Sequence, residues 1–294
     1  MSIPMDSQCI QCYLRRNLEL VRPLGDEAKA TAFARELMGL ICALPEGAPS
    51  PYLGPEVSEL LTRMYGLPAD RFREEKIRSN RFVLERLDTI RETVRSAPDP
   101  VLAGLQMAIL GNYLDFSALQ GKVSFEKLEE MLRGGLEMAL DKDTYHRLRR
   151  ELAEAKTLLY LTDNAGEIGF DRVLAEELAR AYPELSITFC VRGGIAANDA
   201  TREDAEAMGI PFPVIDSGST IAGFPPDRLG NDADRALRES DVILAKGMGN
   251  AETMLGCGYN VYYAFLVKCP RFVERFQKPM FTPILAAERA GGDR

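Results

Sequence analysis

The sequence predicts an α/β protein in which an N-terminal all-helical domain precedes a doubly wound, mostly parallel α/β/α domain. The chain has 294 residues and is 46% apolar, which is enough for about two domains with real cores. Apolar residues in the first half recur at three- and four-residue spacing, whereas the second half alternates short apolar runs with helical stretches. We therefore expect a helical domain over residues 1–150 and an α/β domain over residues 151–294.

The helical half is divided by breaks rich in proline and glycine, such as PEGAPSPYLGP and SAPDP. Apolar spacing predicts helices over 26–43, 55–66, 70–95 and 99–119. Ser124 begins a further helix, although Lys127 stands where a complete capping box would have Glu or Gln.

Five short apolar runs in the second half predict strands. They are TLLYLT at 157–162, SITFCV at 186–191, FPVID at 212–216, DVILAK at 241–246 and VYYAFLVK at 261–268. Helical stretches such as 167–181 and 201–208 stand between them. Strands that are connected through helices form a largely parallel, buried sheet.

The composition excludes several classes of function. The single histidine, His146, lies in a charged stretch with the pattern of a helix surface, which argues against a Ser-His-Asp triad or a multi-histidine zinc site. The net charge is −8, and residues 151–294 carry 15 Lys and Arg against 22 Asp and Glu. This balance disfavours nucleic-acid binding, although solvated acidic helix faces would also explain much of the excess.

No apolar run approaches the roughly 20 residues of a membrane span, and the N-terminus lacks a signal-peptide pattern. We therefore expect a cytoplasmic protein without membrane contact. Six cysteines in a reducing compartment favour core thiols or metal ligands over disulfides. With so little histidine, a catalytic metal would depend on oxygen ligands, which favours Mg²⁺ or Mn²⁺.

Polar, basic or glycine-flanked residues follow all five predicted strands, at the sheet edge where open α/β folds bind ligands. In strand order these are Asp163-Asn164-Ala165-Gly166-Glu167; Arg192 with Asn198-Asp199; Ser217-Gly218-Ser219; Lys246 to Asn250; and Lys268-Cys269. Any one of these groups could be an ordinary turn or helix cap. Five at one edge predict an active site.

The residue types at this edge suit phosphate chemistry. Asp163, Asn164 and Asp199 offer three oxygen donors for a divalent cation. Such a cation would polarise phosphoryl oxygens and orient or deprotonate a water. Lys246 would offset charge in the transition state, and Arg192 with the loop amides near Ser219 and Asn250 would bind the phosphate.

Competing motifs are absent from the sequence. It contains no G-x-x-x-x-G-K-[ST], no G-x-G-x-x-G after the first strand, and no D-x-D at that strand's end. In the helical half, Asn112 and Asp115 stand three apart and are predicted to share a helical face that reaches an interdomain cleft and contacts the substrate. An ordinary helix C-terminus is the alternative.

Six motifs resemble the damage-control phosphatase family, also known as domain of unknown function 89. They are G-N-x-x-D-F at 111–116, T-D-N-A-G-E-I-x-x-D at 162–171, V-R-G-x-x-x-x-N-D-A-T at 191–201, S-G-S at 217–219, K-G-x-G-N-x-E at 246–252 and V-K-C at 267–269. The resemblance implies a metal-dependent phosphatase of small phosphometabolites that uses Mn²⁺, Co²⁺, Ni²⁺ or Mg²⁺.

The resemblance also implies site residues. The metal ligands would be Asp163, Asn164 and Asp199, and the residues facing phosphate and substrate would be Asn112, Asp115, Lys246 and Asn250. Beside the resemblance, the residues at the strand ends predict Asp163 and Lys246 as the catalytic pair, and further substrate contacts at Glu167, Arg192, Asn198 and Ser219. The sequence leaves open whether Asp163 attacks the phosphorus or only binds metal.

The CxxC pair, Cys9 and Cys12, resembles the prokaryotic branch of that family. We expect the pair to approach Cys269 and to tie the N-terminus to the α/β domain as a structural thiol site. Packing of two small residues in the first helix is the alternative.

The predicted function is metal-dependent hydrolysis of small phosphate monoesters. Two alternatives remain open, namely an S-adenosylmethionine-dependent methyltransferase and a non-catalytic module that binds phosphometabolites. The sequence leaves the substrate and the oligomeric state undetermined.

Overall fold

A six-stranded sheet forms the centre of the molecule in the computed structural model, which describes residues 2–117, 119, 123–134 and 138–288. The strands are β1 Thr157–Leu161, β2 Ser186–Val191, β3 Val214–Asp216, β4 Val242–Lys246, β5 Val261–Leu266 and β6 Pro283–Glu288. They lie in the order β3-β2-β1-β4-β5-β6. All neighbouring pairs are parallel except β5 with β6. The predicted mostly parallel α/β fold is confirmed.

Helices precede the sheet in the chain and then alternate with its strands. Before β1 come α1 Ser7–Val21, α2 Glu27–Ala43, α3 Gly54–Tyr65, α4 Arg73–Leu84, α5 Leu87–Arg95, α6 Pro100–Gly111, α7 Phe125–Gly134 and α8 Lys142–Glu154. After β1 come α9 Glu167–Ala181, α10 Arg202–Ala207, α11 Asn231–Glu239, α12 Gly247–Met254 and α13 Pro270–Phe276. His146 lies exposed on α8, as its sequence context predicted.

Two helix predictions in the first half are wrong in detail. The range 70–95 contains two helices, because the chain turns between Leu84 and Leu87. The range 99–119, of which residue 118 lies outside the described residues, contains a helix that ends at Gly111. Asn112 and Asp115 therefore lie in turns and do not share a helical face. The second error arises because apolar spacing continues past Gly111 into a segment, 112–116, that is itself buried.

Hydrophobic residues form three clusters. The largest covers one face of the sheet and joins helices α4–α9 to the inward side chains of the strands, among them Leu158, Tyr160 and Tyr262. A second cluster covers the other face, with α11–α13 and residues such as Leu159 and Phe265. The third lies among α1–α3. The largest core crosses residue 150, and the two-domain division predicted there stays a prediction.

The strand order fixes where a ligand site is expected. The chain winds outwards from β1 through β2 to β3 and then returns to place β4 on the other side of β1. In an open α/β sheet, such a reversal opens a crevice beyond the carboxyl ends of the two central strands. Here these are β1 and β4. In the part of the chain that the structure describes, every helix is too short or too polar to cross a bilayer.

Candidate active site

The loop after β1 lies against the loop after β2. Asn164 and Asp199 form an isolated antiparallel bridge. The backbone N–H of Ala200 donates a hydrogen bond to the carbonyl oxygen of Asp163 at 2.7 Å. The structure thus brings together the three residues that the sequence proposes as metal ligands.

The loop after β4 reaches the same point. Gly247 begins α12 with φ +78°, and a Cβ atom built on it would lie 2.0 Å from Oδ2 of Asp163. Only glycine combines this left-handed conformation with so close an approach. The two central strands therefore converge on the Asp163 carboxylate, as the strand order predicts.

Replacing Gly247 with alanine should displace the Asp163 carboxylate and lower any activity that depends on this carboxylate by about 100-fold, the effect of a misplacement of about 1 Å. Gly66 is the matched control, because it has φ +68° and a Cβ atom added to it would meet no atom within 4 Å. Gly66→Ala carries only the conformational cost of about 1 kcal/mol. Equal activity in the two variants, measured as initial rates, would contradict this role of Gly247.

Three asparagine side chains organise the acidic groups around Asp163. Nδ2 of Asn112 donates to Oδ2 of Asp163 at 2.9 Å and to both oxygens of Glu167. Nδ2 of Asn164 donates to Oδ2 of Asp163 at 2.7 Å and to Glu167 at 2.8 Å. Asn198 in turn donates to Oδ1 of Asn164 at 2.7 Å. These bonds orient Asn164 with its amide oxygen away from the two carboxylates.

Lys246 lies beneath this network and is fully buried. Its ammonium group donates to Oε1 of Glu167 at 2.7 Å, to Oδ1 of Asp171 at 2.9 Å and to the carbonyl oxygen of Ala108 at 2.8 Å. All three of its N–H groups therefore have protein acceptors. The sequence proposed that Lys246 would face a phosphate, whereas the structure places its charge between two buried carboxylates.

Arg192 is also fully buried, and its Nη2 lies 3.7 Å from Oδ1 of Asp163. Its Nε donates to Oδ2 of Asp199 at 2.6 Å, and its Nη2 donates to Oδ1 of Asn250 at 3.2 Å. Its Nη1 is buried without a hydrogen-bond partner among the described residues. Asp163, Asp199 and Asn250 thus hold Arg192 in place, while Nη1 of its guanidinium group has no partner among the described residues.

Lys268 is a site residue for which the sequence predicted no role. It follows β5, and its ammonium group donates to Oδ2 of Asp115 at 2.6 Å and to the carbonyl oxygen of Asn112 at 2.8 Å. Its side chain is fully buried. Its place at the end of a predicted strand was the signal that could have identified it, since Lys246 likewise stands at the end of β4.

Carboxyl groups crowd the centre of the site. Burial raises the pKa of Asp163 well above its ordinary value, and the carboxylates of Glu167, Asp199 and Asp115 raise it further against the opposing effect of Lys268. A second positive charge beside Asp163 would offset this repulsion. The electrostatics of the site therefore favour a bound cation.

The donor set fits a hard divalent cation. Asp163 and Asp199 offer carboxylates, which Mg²⁺ and Mn²⁺ accept as ligands. Asn164 would offer its amide oxygen once the side-chain amide turns, because that oxygen now accepts a hydrogen bond from Asn198 at 2.7 Å. Burial raises the pKa of Asp199 although Arg192 opposes this. Within the described ranges no group of three or more His, Cys, Asp or Glu side chains could hold a metal ion. The fit thus depends on Asn164 as the third protein ligand.

Most of the predicted site residues belong to this one network, and four lie elsewhere. The hydroxyl of Ser219 accepts from the backbone N–H of Ile221 at 3.2 Å, and no hydrogen bond between described residues joins that hydroxyl to the network. The thiols of Cys9, Cys12 and Cys269 are free. Cys9 and Cys12 lie on α1, and Cys269 directly follows Lys268 at the start of α13. No hydrogen bond between described residues joins these thiols to the network.

The N-terminus is nevertheless attached to the α/β half. Nη1 of Arg271 donates to Sγ of Cys9 at 3.2 Å, and Nε of Arg271 pairs with Asp6 at 2.9 Å. Burial raises the pKa of Cys269 to about 11, and the nearby charges of Glu252 and Cys9 contribute in the same direction. A shared role of the three thiols stays a prediction.

Comparisons with known proteins agree on one family. The family model for the damage-control phosphatase ARMT1-like domain matches residues 5–282. A damage-control phosphatase of Pyrococcus horikoshii is 32% identical over 213 residues, which are 71% of this chain and 72% of that protein. One of Archaeoglobus fulgidus is 34% identical over 188 residues, or 63% and 64% of the two chains.

A further homologue and a solved structure match nearly the whole chain. An uncharacterised protein of Methanocaldococcus jannaschii is 31% identical over 288 residues, which cover 93% of this chain and 92% of that protein. The crystal structure of a DUF89 family protein from Pyrococcus horikoshii superposes with a TM-score of 0.82 at 25% identity. That superposition covers 97% of this chain and 99% of the other.

Proposed function

The chain belongs to the damage-control phosphatase ARMT1-like domain family, and from this premise we propose that it is a metal-dependent phosphatase of small phosphorylated metabolites. The observation that carries the proposal is the pairing of two kinds of group at the β1/β4 crevice. Three oxygen donors suited to a cation lie beside Arg192, a rigid buried guanidinium with one nitrogen that no described residue engages. A cation site next to an anion site is what phosphate-ester hydrolysis requires.

Asp163, Asn164 and Asp199 would hold the cation. When bound, it would polarise the phosphoryl oxygens and lower the pKa of a water ligand so that hydroxide forms near neutral pH. Asn112 fixes the Asp163 carboxylate through its 2.9 Å hydrogen bond, and Arg192 fixes that of Asp199 at 2.6 Å. Ligands held in this way lose little freedom on binding, which raises the affinity for the cation.

Arg192 and Lys268 would bind the phosphoryl group. Nη1 of Arg192 is a buried donor without an acceptor in the part of the chain that the structure describes. Among the described residues the ammonium group of Lys268 has two acceptors, Asp115 and the carbonyl of Asn112, which leaves one N–H for a phosphate oxygen. Both charges stand ready to stabilise the negative charge that develops on the phosphoryl oxygens in the transition state.

Lys246 is assigned a positioning role in place of direct contact with phosphate. Its three N–H groups hold Glu167, Asp171 and the end of α6. Glu167 in turn accepts hydrogen bonds from the side-chain amides of Asn112 and Asn164. Lys246 therefore acts on the cation ligands through Glu167.

We also propose a cytoplasmic location. All six cysteines are free thiols. Unpaired thiols, several of them partly exposed, are typical of a reducing compartment. Alkylation of the thiols in intact cells, compared with that in a reduced lysate, would test this location.

A screen of phosphate monoesters with Mn²⁺, Mg²⁺, Co²⁺ and Ni²⁺ tests the proposed function. We expect phosphate release from sugar phosphates or related small esters that requires one of these metals and stops on addition of a chelator. Phosphate release that is indifferent to chelation would contradict the metal requirement. Binding of S-adenosylmethionine or of esters without any turnover would contradict the hydrolytic activity itself.

A further inference from the structure

Two half-buried arginines, Arg16 on α1 and Arg71 in the turn before α4, are distinguished from the other basic residues because no described acidic side chain pairs with them. Every other buried or half-buried lysine or arginine in the described ranges has a carboxylate oxygen within 3.1 Å. The remaining basic side chains without such a partner are exposed. The carboxylate of Glu252 interacts electrostatically with Arg16 but forms no ion pair with it. Partly desolvated positive charge without an ion-pair partner is unfavourable in the protein alone.

Arg16 is linked to the active site by a short chain of hydrogen bonds. Its Nη2 donates to the hydroxyl of Ser117 at 3.1 Å. The backbone N–H of Ser117 donates to Oδ1 of Asn198 at 3.0 Å, and Asn198 donates to Oδ1 of Asn164 at 2.7 Å. The guanidinium group of Arg16 thus lies three hydrogen bonds from a residue proposed to hold the cation.

Arg71 lies close enough to Arg16 for their charges to interact. Burial lowers the pKa of Arg71, and the positive charge of Arg16 lowers it further. The guanidinium carbon of Arg71 lies 5.0 Å from the centre of the Phe72 ring, which limits its freedom to turn away. Two guanidinium groups that repel one another provide a strong site for an anion that can lie between them.

We propose that Arg16 and Arg71 bind a second anionic group of the substrate, a carboxylate or a second phosphate, while the scissile phosphate lies at Arg192 and Lys268. The inference rests on the proposed function and narrows the substrate class to phosphate esters that carry another negative charge. Arg192 and Lys268 already provide two positive charges for the scissile phosphate, and Arg16 is connected to the site through Ser117. The pair therefore recognises the part of the substrate that does not react.

Two pairs of substrates test this subsite. Each pair has a member with and a member without the second anion: 3-phosphoglycerate with glycerol 3-phosphate, and fructose 1,6-bisphosphate with fructose 6-phosphate. In Arg16→Gln and in Arg71→Gln, we expect kcat/KM for the doubly anionic member to fall at least about tenfold more than for its partner, since one charged hydrogen bond is lost. A larger loss for 3-phosphoglycerate than for glycerol 3-phosphate identifies the second anion as a carboxylate. A larger loss for fructose 1,6-bisphosphate than for fructose 6-phosphate identifies it as a phosphate.

Arg15→Gln is the matched control, because Arg15 is exposed on the same helix and its loss changes the net charge equally. We expect it to leave the ratio of kcat/KM within each pair unchanged. Arg16→Lys should restore part of the lost preference for the doubly anionic substrate, because lysine keeps the positive charge but lacks the planar guanidinium group that can donate two parallel hydrogen bonds. Equal losses for both members of each pair, or no loss in either, would overturn the subsite.

A binding measurement separates this inference from the proposed function. Calorimetric titration with fructose 1,6-bisphosphate, 3-phosphoglycerate and their singly anionic partners, in the presence of a chelator, requires no turnover. Tighter binding of a doubly anionic ester by the native chain than by Arg16→Gln supports the subsite even if no ester is hydrolysed. Identical affinities in the native chain and both glutamine variants would rule the subsite out.

Discussion

Replacing Asp163 with asparagine should abolish metal-stimulated hydrolysis of phosphate esters. Asp163 is the proposed cation ligand on which the loops after β1, β2 and β4 converge. The substitution keeps the shape of the side chain and removes its charge. We expect kcat/KM to fall by more than the roughly 100-fold that follows loss of a residue that only supports a ligand. Initial rates at saturating Mn²⁺ measure this effect.

The same substitution should not destabilise the protein in the absence of metal. Burial and neighbouring carboxylates raise the pKa of Asp163 in the folded state. A raised pKa means that folding opposes ionisation, so the charged form costs stability once the pH exceeds the ordinary value for aspartate. Neutral asparagine avoids that cost. In a chelator, we expect the melting temperature of Asp163→Asn to equal or exceed that of the native chain.

Asp143→Asn is the control for this pair of measurements, because Asp143 is an exposed residue in the first turn of α8. It should keep both native activity and the rise in melting temperature that Mn²⁺ produces by binding the folded state. Asp163→Asn should lose both. Native activity in Asp163→Asn would show that another residue holds the cation.

Replacing Lys246 with methionine should cause the largest loss of stability. Its ammonium group lies 2.7 Å from Glu167 and 2.9 Å from Asp171, and all three side chains are fully buried. Burial alone would lower the pKa of Lys246, but the two carboxylates outweigh burial and raise it. Its removal leaves two buried carboxylates without a counter-ion, which costs about 3–5 kcal/mol. Urea unfolding measures this change.

Two companion variants distinguish the loss of charge from the loss of a side chain. Lys142→Met removes an exposed lysine at the start of α8 and should change the free energy of unfolding by less than about 0.5 kcal/mol. Lys246→Met with Asp171→Asn removes one of the stranded carboxylates and should recover part of the lost stability. Burial raises the pKa of Asp171 to about 7 despite Lys246, so the charged form of this carboxyl group is already unfavourable in the native protein. A free energy of unfolding near the native value in Lys246→Met would show that Lys246 is not needed to compensate the buried charges of Glu167 and Asp171.

Periodicity predicted the central sheet well because its strands are short, apolar and separated by helices. β1 and α9 lie where the sequence placed them, and α9 has the predicted bounds, 167–181. β6 was not predicted, since PILAAE follows a turn and has no helix after it within the described residues. Nothing in a single sequence shows that such a run pairs antiparallel with β5. That pairing depends on the exposed edge of a sheet already formed.

Residue type and strand order together could predict that the acidic site residues lie close to one another, but they could not predict the hydrogen-bond partner of each side chain. Asn112 was predicted on a helical face, and it reaches Asp163 from a turn. Lys246 and Lys268 follow neighbouring strands, yet one points towards buried carboxylates and the other towards Asp115. The alternation of side-chain direction along a strand does not extend into the loop that follows the strand. The direction of each lysine is therefore set by packing against α6 and α9, which the sequence does not reveal.

The most direct test of the cation site is the Mn²⁺ dependence of phosphate release from p-nitrophenyl phosphate, measured for the native chain and Asp163→Asn after both are stripped with a chelator. We expect the stripped native chain to be inactive, added Mn²⁺ to restore its hydrolysis along a saturating curve, and Asp163→Asn to stay inactive throughout. Hydrolysis by the stripped native chain, or equal restoration in the variant, would contradict the assignment of the cation to Asp163, Asn164 and Asp199.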